Sequence, residues 1–337
     1  MLQINVALPS GKRKSLTVDE SSKVGDLRIL AQQSFGQGFL KLVSATGRCL
    51  ADPAETLLAA GIGEGDHVTA IVQQANLAAT EDAFALWCCG GDRVLTWGNP
   101  EAGGDSSSVQ DQLRNVQQIR ATLSAFAAIL ADGSVVTWGD PGAGSCSSDV
   151  QDQLRHVRKI EATDSAFAAI LADRSVNTWG DQDAGGDSSK VQDQLQNVQQ
   201  IRATNGAFAA ILADGSVVTW GDPDVGGDSS YVQSRLDKVH QIHATRNAFA
   251  AILADGSVVT WGDPEGGGDS FAVHKQLRNV QQVQATRIAF TANLADGSVV
   301  TWGDPLAGND NSEVQDRLRN VRQVQATSYC MSAIVAD

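Results

Sequence analysis

The sequence predicts a mainly β protein in which an α+β unit at residues 1–74 precedes a β-propeller at residues 75–337. Three observations predict this fold class. Trp-Gly pairs recur every 41 residues from Trp97 to Trp302 without an insertion, most repeats carry an Asp-Gly hairpin signal beside an apolar segment, and the first 74 residues do not share the period. Repetition of this kind is typical of a building unit whose neighbours must present the same surface to one another.

Residues 1–74 carry the pattern of two strands, a helix and two further strands. The alternation of Leu2, Ile4 and Val6 predicts the first strand of a hairpin. Val24 and Leu27 then lie on one face of a helix that continues through Ser34, and the segments FLKLVS and HVTAIV are strand-like. The predicted element order is therefore ββαββ.

Each repeat contains three strand-like segments, represented by VQQIRAT, AFAAILA and SVVTWG. In the middle segment, strand alternation places Ala125, Ala127 and Ile129 on one face. Phe126 and Leu130 lie on the other face, so both faces are apolar and both must be covered. Blades arranged radially meet this need, because the bulky face of one blade packs against the small face of the next.

The number of blades depends on how the repeats are counted. A 41-residue frame gives six full repeats and a preceding half-unit at 77–91; the full repeats are 92–132, 133–173, 174–214, 215–255, 256–296 and 297–337. The Ala-Thr strand occurs seven times and the Trp-Gly strand six times. The propeller ring can close in two ways. It has either seven blades with the last one incomplete, which we prefer, or six blades of which one is completed by the half-unit.

Composition limits the classes of partner. The chain has 39 acidic and 25 basic residues, and a formal charge of -14 repels phosphate backbones, so we expect no nucleic acid partner. The N-terminal segment lacks the pattern of a secretory signal, and no apolar run has the length of a bilayer span, so we expect no membrane insertion. The five cysteines show no CxxC spacing, which favours a reducing compartment. We expect an acidic, soluble protein of the cytoplasm or nucleus.

The common catalytic and metal-binding patterns are missing from the sequence. It contains no Gly-x-Ser-x-Gly elbow, no phosphate loop and no HExxH. The acids in GDPDVGGDS lack the spacing of an EF-hand, and His240 and His243, three residues apart on a predicted strand, point to opposite faces. We expect no catalytic residue, no metal site and no cofactor, and hence no enzyme.

The two residues that follow each Ala-Thr pair differ from repeat to repeat, although the flanking strands are nearly identical. These pairs lie in a loop between two strands, so they ring one face of a propeller. Two interpretations stay open, a partner-binding rim or drift at solvated positions. Aromatic residues and arginine dominate binding hot spots. With a second variable column included, the candidate rim residues are Asp164, Tyr231, Arg246, Asn247, Arg287, Ile288 and Tyr329.

The pattern A-x-x-x-A-x-x-x-L-x-x-D-G-x-V-x-x-W-G resembles the repeat of the regulator of chromosome condensation family over residues 77–337, at Leu130, Asp132, Gly133, Val135, Trp138 and Gly139. The resemblance implies a seven-bladed propeller. This chain has Ala-Thr-x-x-Ala where that family has Gly-Gly-x-His, so exchange activity on a GTPase does not carry over with the fold. HERC-type ubiquitin ligases join such a propeller to a HECT domain of several hundred residues, and we expect no such domain within these 337 residues.

Residues 1–74, with GRCLAD before LLAAGI, resemble a ubiquitin-like β-grasp domain. The resemblance implies a recognition patch at Leu8, Val43 and Thr69, in which one of the three apolar members is replaced by a polar residue. There is no free Leu-Arg-Gly-Gly tail, since Gln73 and Gln74 run directly into the next segment. A fixed module that docks to a partner is therefore implied.

These inferences predict a non-catalytic protein–protein interaction module or scaffold, with the propeller face as its binding platform. Proteins are the expected partners, among them components of the ubiquitin system. Two alternatives stand beside this prediction. One is a guanine-nucleotide exchange factor or regulator of a small GTPase, and the other is a structural subunit of a larger assembly.

Overall fold

The computed structural model describes residues 1–88, 91, 93–305, 318, 320–328 and 330–335. The first elements follow the predicted order: β1 (Leu2–Ala7), β2 (Arg13–Val18), α1 (Val24–Phe35), β3 (Leu40–Ser44) and β4 (His67–Val72). They form one sheet with the strand order β2-β1-β4-β3, in which the central strands β1 and β4 are parallel. The hairpin strand β2 and strand β3 lie at the two edges.

Helix α1 packs on one face of this sheet. Val24, Leu27 and Ala31 are buried and share a core with the alternate strand residues Ile4 and Leu42. The helix ends at Gly36, which has a φ of +64° and donates its N–H to the carbonyl of Gln32. No helix of the described residues combines the length and the apolarity that crossing a membrane requires.

The remaining described residues form a β-propeller built from successive antiparallel sheets, which we call blades and number along the chain. Every blade but the last has three strands, joined in sequence order. The blades are blade 1 (β5 Ala75–Ala79, β6 Ala83–Cys88, β7 Val94–Gly98), blade 2 (β8 Val116–Ala121, β9 Ala125–Leu130, β10 Val135–Gly139), blade 3 (β11 Val157–Ala162, β12 Ala166–Leu171, β13 Val176–Gly180), blade 4 (β14 Val198–Ala203, β15 Ala207–Leu212, β16 Val217–Gly221), blade 5 (β17 Val239–Ala244, β18 Ala248–Leu253, β19 Val258–Gly262), blade 6 (β20 Val280–Ala285, β21 Ala289–Leu294, β22 Val299–Gly303) and blade 7 (β23 Val321–Ala326, β24 Met331–Val335).

The blade frame differs from the 41-residue count made on the sequence. Blades 2 to 6 each begin at the strand represented by VQQIRA and end at Trp-Gly, so each of them contains parts of two counted repeats. Residues 75–98 form a sheet of their own, separate from the two-stranded sheet of blade 7. The incomplete last blade agrees with the strand pattern of the sequence.

The middle strands pack as the alternation predicts. Ala125 and Ala127 of blade 2 lie in one core with Phe167 of blade 3, and the same small-on-bulky contact recurs at the next junctions. The phenylalanines of the middle strands of blades 2 to 6 are completely buried. From blade 1 to blade 5, the small face of each blade therefore receives the aromatic ring of the next.

A tryptophan on the third strand completes each of these contacts. Trp138 stacks on Phe126 with ring centroids 5.1 Å apart, and its Nε1 donates to the carbonyl oxygen of Gly103 in the preceding blade at 3.0 Å. Gly103 has a φ of +90°, and a Cβ there would lie 2.6 Å from the Phe126 ring. Equivalent Nε1 bonds of 3.0–3.1 Å are made by Trp179, Trp220, Trp261 and Trp302. The repeated tryptophans are thus packing residues at blade boundaries.

The turn between the second and third strands contains one exception to the repeat. Gly133, Gly215, Gly256 and Gly297 occupy it with φ between +76° and +84°. Blade 3 has Arg174 in this position, with a φ of +68°. A Cβ on Gly133 would lie 2.7 Å from the Cα of His156, so the turn leaves little room for a side chain. Arg174 therefore holds a left-handed conformation that costs a non-glycine residue free energy.

We predict that Arg174→Gly stabilises the protein. Glycine adopts the left-handed region without the Cβ penalty, so the free energy of unfolding should rise by about 1 kcal/mol, measured by urea denaturation. The matched control is Gly215→Arg in the next blade, which should lower the free energy of unfolding by a similar amount. A loss of stability in Arg174→Gly would show that the arginine side chain contributes more than the turn conformation costs.

Candidate functional site

The loops that follow the first strands are linked from blade to blade by their main chains. The N–H of Leu123 donates to the carbonyl of Asp164 at 2.9 Å, and the N–H of Asp164 donates to the carbonyl of Asn205 at 2.8 Å. The same bond joins Glu81 to Leu123, Asn205 to Arg246, Arg246 to Arg287 and Arg287 to Ser328. One residue per blade is therefore held at an equivalent backbone position around the propeller axis.

A threonine anchors each of these loops. In blade 2 the Thr122 hydroxyl accepts from the N–H of Ala125 at 2.9 Å and donates to the carbonyl of Ala143 at 2.9 Å. The equivalent threonines of the other blades accept the same N–H bond; these are Thr80, Thr163, Thr204, Thr245, Thr286 and Thr327. The repeated Ala-Thr sequence therefore fixes the backbone of the loop, while the residue after it changes.

The linked residues border a cavity of about 510 Å³. We call the six that line it the axial rim: Glu81, Leu123, Asp164, Asn205, Arg246 and Arg287. The cavity combines charged, amide and aliphatic side chains on an inflexible backbone. Such a surface suits the recognition of another molecule.

The charges of the axial rim interact across the cavity. Arg246 Nη2 lies 3.0 Å from Asp164 Oδ2, although the two residues belong to blades 5 and 3. Burial raises the pKa of the Asp164 carboxyl above its usual value, and the negative charge of Glu81 acts in the same direction. Arg246 and Arg287 oppose this rise and do not cancel it. Four charged side chains from four blades therefore form one electrostatic group.

The structure brings together three of the rim residues predicted from the sequence: Asp164, Arg246 and Arg287 all line the cavity. Leu123 and Asn205 occupy the same column in other blades, and Glu81 was missed because its blade precedes the first full repeat in the 41-residue frame. The sequence Ala-Thr-Glu at 79–81 is the signal that identifies this position.

Three other predicted rim residues, Asn247, Ile288 and Tyr231, lie outside the cavity lining. The Asn247 side chain donates to Asp263 Oδ2 at 3.2 Å, and Ile288 is half-buried. Tyr231 is 65% exposed in the loop after blade 4, where its hydroxyl accepts from the N–H of Gly262 at 3.1 Å. Tyr329 lies outside the described residues.

The patch implied for residues 1–74 is only partly assembled. Val43 and Thr69 are cross-strand partners on β3 and β4, and Thr69 is exposed. Leu8 is only 8% exposed and belongs to the core of this unit, so it adds little to an exposed surface. Ile71 lies two residues along β4 on the same face as Thr69 and is 40% exposed. It is the apolar residue of this face that the sequence analysis missed.

One position of the first strand differs from blade to blade and holds a buried histidine in blade 5. The residues at this position in blades 2 to 5, which are 41 residues apart, are Arg120, Glu161, Arg202 and His243. Burial lowers the pKa of His243 to about 4, with a further contribution from the charge of Arg202. Its Nε2 is buried and has no hydrogen-bond partner within the described part of the chain. Those described ranges also contain no group of three or more His, Cys, Asp or Glu side chains placed to hold a metal ion.

No family model matches the sequence, and a comparison with curated proteins also gives no match. Among solved structures, human WBSCR16 is similar with 13% identity and a TM-score of 0.47, over 78% of this chain and 82% of that one. Yeast RCC1 (Prp20), solved with Kap60 bound, is similar with 15% identity and a TM-score of 0.42, over 68% of this chain and 69% of that one.

A ubiquitin from Caldiarchaeum subterraneum is similar with 23% identity and a TM-score of 0.20, over 22% of this chain and 94% of that one. These likenesses are too distant to assign a function. The propeller is identified by its own repeated sheets.

We predict that His243 makes the protein sensitive to mild acid. The unfolded chain binds a proton at the ordinary pKa of 6.5, whereas the folded chain resists protonation down to a pKa of about 4, so stability is lost as the pH falls from 6.5 to 4. His243→Gln, which copies Gln284 of the next blade, should reduce the loss of unfolding free energy between pH 7 and pH 4.5 by about 2 kcal/mol. Urea denaturation at the two pH values measures this difference.

The control for this prediction is His240→Gln. His240 is exposed on the same strand, so its substitution removes a histidine without changing a buried site. An equal effect of both substitutions would contradict the prediction.

Proposed function

We propose that the chain is a non-catalytic protein-binding module and that the axial rim is its binding surface. One observation carries this proposal: six loops with the same backbone bonds present six positions whose side chains differ in charge and size. A rigid scaffold that carries varied side chains loses little conformational entropy when a partner binds. The threonine anchors supply that rigidity in every blade.

The character of the axial rim favours a protein partner. Arg246 and Arg287 can form paired hydrogen bonds with a carboxylate of a partner, and Leu123 offers an aliphatic contact in the same cavity lining. The cavity is open and its lining is charged, which disfavours a fully enclosed apolar ligand. A partner segment that carries an acidic side chain fits this arrangement.

A second docking surface is proposed on residues 1–74. Val43, Thr69 and Ile71 form an exposed strip on the face of the sheet opposite α1. The resemblance of this unit to ubiquitin-like domains supports a partner from the ubiquitin system. Ile71→Asp in the full chain should abolish such binding and leave binding at the axial rim unchanged.

The proposed rim function predicts a large effect of two arginines. Arg246→Ala combined with Arg287→Ala should weaken capture of rim partners from native extract by about 30-fold, the effect of losing about 2 kcal/mol at a hot spot. Quantitative mass spectrometry of proteins retained by the immobilised full chain measures this loss. The matched control is Arg114→Ala combined with Arg278→Ala, which removes the same charge from two exposed arginines outside the cavity lining.

Two outcomes would contradict the proposed function. If both double variants retain the same partners to the same extent, the axial rim is not the binding surface. If the chain accelerates nucleotide release from a captured GTPase, it acts as an exchange factor and the non-catalytic proposal is wrong.

A further inference from the structure

Blade 1 exposes a surface that every following three-stranded blade buries. Phe84 stacks on Trp97 with ring centroids 5.4 Å apart, as the equivalent pairs do. However, Phe84 is 39% exposed and Trp97 is 44% exposed, whereas Phe126 is 0% and Trp138 is 4% exposed in blade 2. The aromatic pair is formed in blade 1, but no blade of the described residues buries it as the interior pairs are buried.

The exposed surface extends over all three strands of blade 1. Cross-strand pairing places Leu77 opposite Leu86 and Leu86 opposite Leu95, on the same face as Phe84 and Trp97. Leu77 is 57% and Leu95 is 55% exposed, while their counterparts in blade 2, Ile119 and Val136, are 3% and 7% exposed. We call these five residues, Leu77, Phe84, Leu86, Leu95 and Trp97, the head face. An apolar area that spans a whole sheet face is typical of an interaction surface.

Blade 7 exposes the other face of its sheet, the one that carries the small residues in the interior blades. Cys330, Ser332 and Ile334 alternate along the second strand, in the positions that Ala125, Ala127 and Ile129 occupy in blade 2. Those three residues of blade 2 are 0–5% exposed because blade 3 covers them. In blade 7 all three positions are exposed, with Ile334 at 58%. We call these three residues the tail face.

The junctions inside the chain show what fits the head face. At the four junctions from blade 2 to blade 6 the aromatic pair of one blade packs on two alanines and an isoleucine of the blade before it. The tail face carries the same pattern, two small residues followed by an isoleucine. The exposed ends of the blade array are therefore complementary to each other.

We propose that this protein associates head to tail with a second copy of itself, the head face of one chain packing on the tail face of the other. The contact repeats a junction that the chain already builds between its own blades. Because the two contacting surfaces are different, each copy keeps one head and one tail face for further association, which leads to closed rings of chains or to longer assemblies. This inference is independent of the proposed rim function, since neither face includes an axial rim residue.

The test is sedimentation velocity of the full chain over a range of protein concentrations. The wild-type chain should form species larger than the 35.4 kDa monomer, in proportions that increase with concentration. Phe84→Glu combined with Leu95→Glu removes the head face, and Ile334→Glu removes the tail face. Each variant alone should sediment as a monomer, because it retains only one of the two surfaces. All three positions are exposed, so circular dichroism should show unchanged folding.

Mixing the two variants tests the head-to-tail geometry. The intact tail of the head variant can bind the intact head of the tail variant, so an equimolar mixture should give a 1:1 dimer that neither variant forms alone. Phe271→Glu serves as the matched control, since Phe271 is 78% exposed in the loop after blade 5 and lies on neither face. This control should associate as the wild type does.

Three results would overturn the proposal. A wild-type chain that stays monomeric at every concentration would mean that the two faces meet within one molecule or remain uncovered. Wild-type oligomers that persist in both variants would place the contact elsewhere. A mixture of the variants that forms no dimer would exclude contact between a head and a tail.

Discussion

The contact between a phenylalanine ring and the small residues of the preceding blade constrains the rest of the propeller. At the junction of blades 2 and 3, Phe167 fits only because Ala125 and Ala127 carry single methyl groups on the facing strand. The loop that closes the contact is restricted in the same way, since a Cβ on Gly144 would lie 2.8 Å from the Phe167 ring. Close packing of this kind favours repeats that place the same residues at the same contacts. The Trp-Gly pairs keep a 41-residue interval from Trp97 to Trp302.

This constraint separates the residues that build the blade from those that vary on it. The strands and the Ala-Thr anchor are repeated because each must match a neighbour of the same kind. The residue after the threonine lines the cavity at the axis and lies outside the junctions between blades, so packing at those junctions does not select it. The backbone under the axial rim is therefore uniform, and its side chains are free to acquire different chemistry. Arginine, aspartate, asparagine and leucine occur there on one repeated framework.

The sequence was sufficient to predict those features that depend on neighbours along the chain. The order of elements along residues 1–74, the three-stranded blades and the two faces of AFAAIL all follow from local periodicity. The ion pair of Asp164 and Arg246 was not predictable, because 82 residues separate them and only the curvature of the array brings them together. The burial of Leu8 and the position of Tyr231 outside the cavity lining were not predictable for a related reason. Periodicity gives the face of a strand that a residue occupies, but it does not show what lies beyond that face.

The main-chain bonds along the axis all run in one direction, from the N–H of one blade to the carbonyl of the next. Each interior blade therefore receives one bond and makes one bond, whatever its position in the array. A whole repeat could be gained or lost by recombination between near-identical coding segments, and the blades on either side would rejoin without leaving a buried amide unpaired. The architecture thus tolerates changes in the number of blades far better than changes within a blade. The number of repeats can therefore change during evolution more readily than the sequence of the repeat.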